Sequence, residues 1–278
     1  QAKRLMQHSK ISSPCLIKYG GNAMTNPALM QEVAQTLAQW TQPPILVHGG
    51  GPFIAQALKE HNISLPFADG HRFTTEEAMP IIEQALMHRV NRPLVQALNH
   101  AGLRSIGLNG LDAHSVKANF RKLAKQNGKS LSLGRVGDVS QVQANWIFPL
   151  LEQGICPVFA CIGLAPDGKA CNINGDLFAA HLAAALKVQR LVLLTDVKGV
   201  YRNFPDPESF CSQLSPQEVD FMLQSPDLSG GMRPKLEAVQ CAIKLGVPEV
   251  HIMDGTKPEL LHQLDHTPPP GTCIQHSS

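Results

Sequence analysis

The chain has 278 residues, of which 43% are apolar, so it can bury a substantial core as one large α/β domain or as two lobes. Its 24 lysines and arginines against 22 aspartates and glutamates leave a formal charge of only +2. That charge excludes a global electrostatic attraction to nucleic acid or to a membrane surface, so any polyanion that binds should be small and held locally.

The amino-terminal sequence and the cysteines bear on cellular location. The first residues, QAKRLMQHSKISS, are polar and lack the apolar stretch of a signal peptide, and no segment approaches the ~20 apolar residues of a membrane span. The seven cysteines form no CxxC pair, and several lie in apolar runs, so free buried thiols are favoured over disulfides or a metal site. We expect a cytoplasmic protein without a membrane partner, a nucleic-acid partner or metal-ligating residues.

Short apolar runs that end in glycine alternate with helical patterns, which predicts a three-layer α/β fold around a mainly parallel sheet. The elements predicted first are strand 15–19, helix 29–40, strand 45–47, helix 53–61, helix 75–100, strand 104–108, helix 141–153 and strand 155–162. The lysine-rich stretch 117–135 is interpreted as a solvated hairpin. The alternative is a nucleic-acid patch, but no aromatic stacking pattern accompanies its charges.

The turn sequence APDG at 165–168 marks a boundary between two lobes. We place an amino-terminal lobe at 14–165 and a carboxy-terminal lobe at 166–278, within a single domain of 1–278. The elements predicted for the second lobe are helix 176–186, strand 190–195, helix 232–245 and strand 249–253. In open α/β sheets, ligands bind at the carboxyl ends of the strands, which is where the glycine clusters of this chain occur.

Two of these clusters have the composition of an anion-binding turn. Lys18 ends the first strand just before Gly20 and Gly21, and His48 begins a second turn, HGGGP, after the second strand. Glycines let backbone N–H groups approach a phosphate closely, although GxxxxGK[ST] is absent, so this is not a P-loop. The alternatives are a tight turn with a surface lysine and a pair of close strand-to-helix crossings, with His48 packed in the core.

Two helix starts in the second lobe carry further candidates. Asn172 and Asp176 precede an apolar helix in CNINGD, where the simplest interpretation is an N-cap. The functional interpretation is that Asn172 binds a substrate and Asp176 orients neighbouring lysines. Lys235 lies in the first turn of the helix after GGMRP, where the helix dipole disfavours a cation, and this indicates an anionic ligand nearby.

The motifs KYGGNAM, HGGGP, the arginine of DGHR, CNINGD, LLTDVKGVY and GGMRPKLEA occur in the order seen in the amino-acid kinase family, which the chain resembles over residues 14–255. The resemblance implies the carbamate kinase-like fold. It implies an amino-terminal lobe that binds an acyl amino acid and dimerises, giving a homodimer or a dimer-based oligomer, and a carboxy-terminal lobe that binds ATP. It also implies ATP- and Mg²⁺-dependent phosphorylation of the side-chain carboxylate of N-acetyl-L-glutamate, in arginine biosynthesis.

The resemblance assigns roles to matching residues. Lys18 and Lys235 would neutralise the migrating phosphoryl group, and Asp176 would hold both lysines. Gly21 and Gly50 would donate backbone N–H groups to that phosphoryl group. The substrate-binding residues that it implies are Gly50, Gly51, Arg72 and Asn172. The residues that it places around ATP are Lys18, Thr195, Asp196, Val197, Gly199, Tyr201, Gly230, Gly231, Met232 and Lys235.

Three residues depart from the family pattern, and two other functions remain open. Phe53, Gly175 and Arg233 stand where glutamate, alanine and an apolar residue are usual, but none of them removes a charged catalytic position. A side-chain carboxylate with a pKa of about 4 is ionised at neutral pH, so its phosphorylation needs no general base. The alternatives are a kinase for another acid, such as an aminoadipate derivative, and a non-catalytic nucleotide or amino-acid sensor on the same fold.

Overall fold

A mainly parallel β-sheet forms the centre of the fold in this computed structural model, which describes residues 14–68, 71–122, 132–225, 228 and 231–275. The strands within these ranges are β1 (Cys15–Tyr19), β2 (Ile45–His48), β3 (Phe67–Ala68), β4 (His71–Arg72), β5 (Ser105–Asn109), β6 (Val116–Lys122), β7 (Ser132–Val142), β8 (Cys156–Ala160), β9 (Ile162–Leu164), β10 (Ala170–Ile173), β11 (Arg190–Thr195), β12 (Val200–Tyr201), β13 (Phe210–Cys211), β14 (Gln213–Leu214), β15 (Glu249–Asp254) and β16 (Thr272–Gln275). Eight of them form the central sheet in the order β14-β16-β15-β11-β1-β2-β8-β5. Neighbours run parallel except β15 and β16.

Helices cover both faces of this sheet. The α-helices in the described ranges are α1 (Pro27–Ala38), α2 (Gly51–Glu60), α3 (Ala78–Gln84), α4 (Arg92–His100), α5 (Phe148–Glu152), α6 (Gly175–Ala185), α7 (Pro216–Gln224) and α8 (Met232–Lys244). Leu16 of β1 packs in the cluster that includes α2, α6 and α8, and Ile17 packs on the other face with α1 and α4. Both side chains are fully buried, as expected for a parallel strand between two helical layers. The predicted three-layer architecture is therefore confirmed.

The strands and helices that carry the glycine motifs form close to the predicted positions. β1 and β11 have the predicted bounds, and α6 and α8 differ from prediction by about one residue at an end. The sequence pattern does not predict α7 or β16. None of the helices in the described ranges has the length and apolar character that crossing a bilayer requires. All seven cysteines lie in the described ranges and are free thiols.

The helix predicted over 141–153 is wrong at its start, because helical structure begins only at Asn145, with a 3₁₀ turn over Asn145–Ile147 that leads into α5. Gln141 and Val142 complete β7, and only Phe148–Glu152 becomes α5. The reason is tertiary, because Val142 pairs with Val116 and Gln141 pairs with Lys117 across an antiparallel ladder. Local propensity is a weak prior that such pairing overrides.

The predicted hairpin over 117–135 exists as β6 and β7, but it is not simply solvated. The two strands join β9 and β10 in a small closed barrel, and Arg135 on β7 is only 3% exposed. The prediction of a solvated hairpin is therefore wrong for the part of β7 around Arg135, which is buried in the barrel. Residues 123–131 of this stretch lie outside the described residues.

The single helix predicted over 75–100 is interrupted by a π-helix at Ala85–Asn91, between α3 and α4. The N–H of Arg92 donates to the carbonyl of Met87, five residues back, which is the π pattern. Pro93, next in the chain, has no N–H to donate to the preceding turn, and this accounts for the change of pattern there. The widened turn places Val90 and Asn91 in the interior.

Candidate active site

The carboxyl ends of three neighbouring parallel strands bring the motifs together. β2, β1 and β11 are adjacent, so the turns that follow them meet at one edge of the sheet. Lys18 is the penultimate residue of β1, β2 ends at the fully buried His48 just before Gly49, and β11 ends at Thr195 just before Asp196. This edge is where open α/β folds bind ligands, and the structure describes all of these residues.

Asp176 lies between two lysines that are far apart in the sequence. Its Oδ1 is 2.7 Å from Nζ of Lys18, and its Oδ2 is 3.0 Å from Nζ of Lys235. The exposed fractions of the three side chains are 7% for Asp176, 8% for Lys18 and 13% for Lys235. Two ammonium groups and one carboxylate leave an excess positive charge in a nearly dry site. An anion such as phosphate would compensate that charge.

The pKa values of these groups reflect the same pairing. Burial raises the pKa of the Asp176 carboxyl, but the charges of Lys18 and Lys235 outweigh burial and hold that pKa well below its usual range. Burial lowers the pKa of Lys235, and Asp176 offsets only part of that effect. A phosphate next to Lys235 would act in the same direction as Asp176 and favour the ammonium form.

Asn174, rather than Asp176, caps α6. The Asn174 side-chain oxygen accepts hydrogen bonds from the N–H groups of Asp176 and Leu177, at 3.0 and 3.1 Å. The Asp176 carboxylate is thus directed to the lysines while the helix start is satisfied by its neighbour. At Gly175, where an alanine is usual in the family, a Cβ would lie 3.3 Å from Cε of Lys18. Glycine at this position leaves more room for the lysine side chain.

The glycines at this edge differ in whether a side chain at the same position would meet other atoms. Gly21 has φ of +79°, and a Cβ there would lie 2.3 Å from Oδ1 of Asp196. A Cβ on Gly50, the N-cap of α2, would lie 2.5 Å from Cδ2 of Leu86, whereas a Cβ on Gly51 would meet nothing within 4 Å. A side chain at position 21 would require a left-handed backbone and displacement of the Asp196 carboxylate, and one at position 50 would require the buried Leu86 to move, whereas one at position 51 would meet no atom.

The predicted substrate residues Arg72 and Asn172 are joined by a threonine that the sequence analysis did not identify. The hydroxyl of Thr74 donates to the carbonyl of Arg72 at 3.0 Å, and Nδ2 of Asn172 donates to the Thr74 oxygen at 3.4 Å. Thr74 is fully buried, and it pairs with Gly134 of β7 in an isolated bridge. A single sequence carries no signal for this role, because the contact with Asn172 spans 98 residues of the chain.

Arg72 is half-buried and has a neighbouring aromatic ring. Its guanidinium carbon lies 4.4 Å from the ring centroid of Phe67, which is 62% exposed. Burial lowers the pKa of Arg72, although a guanidinium remains charged at neutral pH. The ring and the partial burial restrict the orientations of a cation that can grip a carboxylate in a bidentate manner.

Most of the residues predicted to surround ATP follow β11 or begin α8. The exposed Asp196, the half-buried Val197 and the buried Gly199 follow β11, and Tyr201 lies in β12. Gly231 is the N-cap of α8 and Met232 is its first residue, while Gly230 lies outside the described residues. Because Gly231 has no side chain, the first turn of α8 has no side-chain cap, and its backbone N–H groups can face an anion.

Two of the three departures from the family pattern have structural roles in the first turns of α2 and α8. Arg233 donates to the carbonyls of Leu223 and Ser225, at 2.9 and 2.6 Å, and so satisfies the last turn of α7. Phe53 packs half-buried against the cluster of α1 and α4. Neither residue contributes a charge to the lysine pair.

Comparison with known proteins identifies the family of the chain. The model of the amino acid kinase family matches residues 13–254. The acetylglutamate kinase of Synechococcus sp. (strain RCC307) is 40% identical over 249 residues, which cover 88% of this chain and 82% of that protein. The acetylglutamate kinase of Bifidobacterium animalis subsp. lactis (strain AD011) is 39% identical over 266 residues, covering 94% of this chain and 86% of that protein.

A solved structure of low sequence identity shares the fold. Carbamate kinase from Giardia lamblia bound to AMP-PNP superimposes with a TM-score of 0.68 at 14% identity, covering 95% of this chain and 99% of the other. At that identity the likeness concerns the fold alone, and it confirms the predicted carbamate kinase-like architecture. The match of the family model to residues 13–254 and the relatives at about 40% identity show that the chain belongs to the amino acid kinase family.

Proposed function

We propose that the protein catalyses the ATP-dependent phosphorylation of the side-chain carboxylate of N-acetyl-L-glutamate, giving N-acetyl-L-glutamyl 5-phosphate for arginine biosynthesis. The observation that carries the proposal is Asp176 holding Lys18 and Lys235 together at the carboxyl edge of the sheet. The relatives named acetylglutamate kinase, at about 40% identity over most of the chain, support the substrate. A sensor could lose the lysine pair and keep the fold, so its retention favours a kinase.

The mechanism is direct in-line transfer of the γ-phosphoryl group to the carboxylate. The attacking oxygen is already ionised at neutral pH, so no residue has to remove a proton. The barrier arises because two anions must approach each other, and it is lowered by positioning and electrostatic stabilisation. Lys18 and Lys235 supply positive charge to the migrating group, while Gly21 and Gly50 supply backbone N–H groups. Asp176 keeps the two ammonium groups in place.

The two ends of the acid and the nucleotide are bound by separate groups of residues. Arg72 and Asn172 bind the α-carboxylate and the acetamido end of the acid, with Gly50 and Gly51 beside them. The geometry that supports this is the hydrogen-bonded connection of Arg72 and Asn172 through Thr74. The residues proposed to surround ATP are Lys18, Thr195, Asp196, Val197, Gly199, Tyr201, Gly230, Gly231, Met232 and Lys235.

Mg²⁺ fits the chemistry of this site as the ion that accompanies ATP. It prefers oxygen ligands, keeps several waters and is commonly held by one or two carboxylates together with substrate phosphates. The exposed carboxylate of Asp196, which lies against Gly21, is the type of protein oxygen that the ion would use. When bound, the ion would neutralise part of the charge on the phosphates.

The two lobes have different roles, and the protein forms an oligomer. Residues 14–165 form the lobe that binds the acid and dimerises, and residues 166–278 form the lobe that binds ATP, in a cytoplasmic homodimer or dimer-based oligomer. β5 at one end of the central sheet supports an interface, because it is an edge strand with Ile106 41% exposed. Light scattering should give at least twice the mass of one chain, and a monomeric mass would contradict this part.

The test of the function is ATP- and Mg²⁺-dependent acyl-phosphate formation, trapped with hydroxylamine. N-Acetyl-L-glutamate is compared with glutamate, aspartate and N-acetyl-aminoadipate under the same conditions. We expect a clear preference for N-acetyl-L-glutamate. Preference for another acid would keep the mechanism and change the substrate, and failure to phosphorylate any of the four would contradict the kinase and favour a sensor.

A further inference from the structure

Asn91 is a buried polar residue that the proposed mechanism does not use. It is the last residue of the π-helix and is 2% exposed. A buried amide has to be hydrogen-bonded to be tolerated, so its partners show what the residue does. Those partners lie on β2 and β8, the strand that ends in the HGGGP turn and its neighbour in the sheet.

The amide nitrogen of Asn91 makes two contacts that fix its orientation. Nδ2 donates to the carbonyl of Val158 at 2.9 Å and lies 3.0 Å from Nε2 of His48. An amide turned the other way would place its oxygen against the Val158 carbonyl, where two acceptors repel each other. Both hydrogens of Nδ2 are therefore used, and Nε2 of His48 must be the acceptor of one of them.

This contact determines the tautomer of His48. Because Nε2 accepts, the ring proton of a neutral imidazole lies on Nδ1, which is 2.7 Å from the carbonyl of Gly49 and donates to it. Burial lowers the pKa of His48 to about 4, the bond to Gly49 opposes that effect, and Lys18 on the adjacent strand adds to the lowering. The ring is thus neutral at physiological pH, as the geometry requires.

The Gly49 carbonyl belongs to the same peptide unit as the N–H of Gly50. In a trans peptide these two groups point in opposite directions within one plane. A hydrogen bond that draws the Gly49 carbonyl towards His48 therefore directs the Gly50 N–H away from the imidazole. That N–H is the donor assigned to the phosphoryl group under the proposed function.

The surroundings of Asn91 are built to hold this arrangement. The π-helix also places Leu86 and Val90 against Gly50, where a Cβ would lie 2.5 and 3.3 Å from their side chains. On β5, a Cβ at Gly107 would lie only 2.0 Å from Oδ1 of Asn91, so a glycine there makes space for the amide. π-Turns of this kind occur frequently at functional sites.

We propose that Asn91 is a positioning residue for phosphoryl transfer: it holds His48 in the Nδ1–H form, and His48 in turn orients the Gly49–Gly50 peptide so that the Gly50 N–H faces the transferred group. The inference rests on the proposed function for its kinetic consequence. The hydrogen-bonded chain Asn91–His48–Gly49 can also be tested without it.

The experiment compares Asn91→Leu with Asn91→Asp. Leucine removes the donor, so His48 can take the Nε2–H form, in which Nδ1 repels the Gly49 carbonyl. Aspartate loses the bond to the Val158 carbonyl and places an oxygen against it, which should lower stability, but that oxygen accepts from Nε2–H and makes His48 an imidazolium that still donates from Nδ1 to Gly49. The matched control is Asn99→Ala on α4, because the exposed Asn99 bonds the carbonyls of Val95 and Ser105 and contributes nothing to His48.

The first measurement is kcat with the KM values for ATP and for the acid, by the hydroxylamine assay. The second is the protonation of the His48 ring nitrogens, by long-range ¹H–¹⁵N NMR. We expect Asn91→Leu to lower kcat about 10- to 100-fold with KM for ATP changed less than about threefold, as for a misplaced donor. Asn91→Asp should recover most of this loss and show both ring nitrogens protonated. Asn99→Ala should leave kcat and the His48 signals unchanged.

The outcomes separate this inference from the proposed function. Wild-type kcat in a folded Asn91→Leu variant, or Nε2–H as the wild-type tautomer, would overturn the inference. If neither variant folds, the wild-type tautomer decides, because the inference requires the ring proton of His48 on Nδ1 and a proton on Nε2 contradicts it. A wild-type enzyme that phosphorylates no acid would instead overturn the proposed function, and the NMR tautomer would still decide the Asn91–His48 contact.

Discussion

At the residue scale, the carboxylate of Asp176 holds two lysines together, and the surroundings of one of them, Lys235, are otherwise unfavourable to a positive charge. Lys235 lies in the first turn of α8, where the helix dipole disfavours a cation, and burial lowers its pKa further. The 3.0 Å contact with Asp176 offsets part of both effects. An ammonium kept in such a position gains more from an incoming phosphate than a solvated lysine does, which favours a catalytic role.

Replacing Lys235 with methionine removes this charge and keeps most of the side-chain volume. We expect Lys235→Met to lower kcat by about 10²- to 10³-fold, the size of loss seen when one electrostatic donor to a transition state is removed. Asp176 keeps its ion pair with Lys18, so the variant should fold. The control is Lys244→Met, in the exposed last turn of the same helix, which should retain wild-type turnover. Near-normal rates for Lys235→Met would remove Lys235 from the mechanism.

The glycine requirement at position 21 has a control that shares its backbone conformation. Gly21 and Gly168 both have φ of +79°, but a Cβ at Gly168 would meet nothing within 4 Å. Alanine at either position should cost about 1–2 kcal/mol of stability because of the left-handed backbone. Only Gly21→Ala forces a Cβ against Asp196, so only this variant should lose turnover, by about 100-fold for a shift of about 1 Å in the turn. Equal activity of the two variants would show that the contact with Asp196 is unimportant.

The residues that sequence could identify are those within one motif. Lys18, Asp176 and Lys235 each lie at a strand end or a helix start beside glycines or asparagines, and that local pattern has a physical meaning. Thr74 and Asn91 act through partners that are 43 to 98 residues away in the chain, so no spacing in the sequence reveals them. Motif reasoning therefore finds the groups that carry charge and misses the groups that orient them.

At the element scale, the β6–β7 hairpin connects the turn at 165–168 to the residues proposed to bind the acid. Arg135 of β7 donates to both oxygens of Asp167, at 2.8 and 3.0 Å, and to the carbonyl of Ala170 at 2.8 Å. Its own backbone N–H donates to the carbonyl of Thr74 at 2.7 Å. Since Thr74 joins Arg72 and Asn172, the hairpin fixes the residues proposed to grip the acid.

The prediction for this element is a change in acid binding without a change in nucleotide binding. We expect Arg135→Met to raise KM for N-acetyl-L-glutamate about tenfold, the equivalent of about one lost hydrogen bond. KM for ATP should stay within about twofold. The control is Arg121→Met, which breaks the partly exposed ion pair with Asp138 in the same hairpin and should change stability by less than about 1 kcal/mol. Equal effects of Arg135→Met on both KM values would assign the hairpin a general structural role.

The strand and helix periods predict most of this architecture, and the failures share one cause. β1 and β11 are apolar runs that the local sequence alone identifies as strands, and they form as predicted. Residues 141–153 contain a helical pattern, yet the ladder with β6 takes its first two residues into β7. The π-helix is likewise invisible to a period of 3.6 residues, because it changes the period within a continuous helix.

At the scale of the whole molecule, the two edges of the central sheet serve different purposes. The carboxyl edge collects Lys18, Thr195 and the glycine turns proposed to bind phosphate, whereas the amino edge has a charged network. In that network, Arg190 donates to Glu249 at 2.7 Å and to Asp265 at 2.9 Å, and the fully buried His251 contacts the same carboxylate of Glu249. Stability and catalysis can therefore be altered separately, by changing one edge or the other.

Glu249 lies at the amino edge, so its effect on stability at low pH tests whether the two edges act separately. The hydrogen bond with His251 lowers the pKa of the Glu249 carboxyl, and burial opposes that effect. Arg190 lowers the pKa of Glu249 further, to about 2. The unfolded-state pKa of a glutamate is about 4.3, so the stabilisation is fully present above that pH and is lost as pH falls towards 2. Glu249→Gln should therefore lower the free energy of unfolding at pH 7 by about 1–2 kcal/mol, with a difference that shrinks steadily below about pH 4.

The measurement is urea unfolding of wild type and Glu249→Gln at pH 7, 4 and 3, together with kcat at pH 7. The exposed Glu259→Gln serves as the control and should match wild type throughout. Glu249→Gln should keep wild-type kcat, because the residue begins β15, at the opposite end of the strand from the catalytic edge. A stability difference that is constant from pH 7 to 3 would show that Glu249 acts by packing rather than by charge. A loss of kcat without a loss of stability would show that the two edges are coupled.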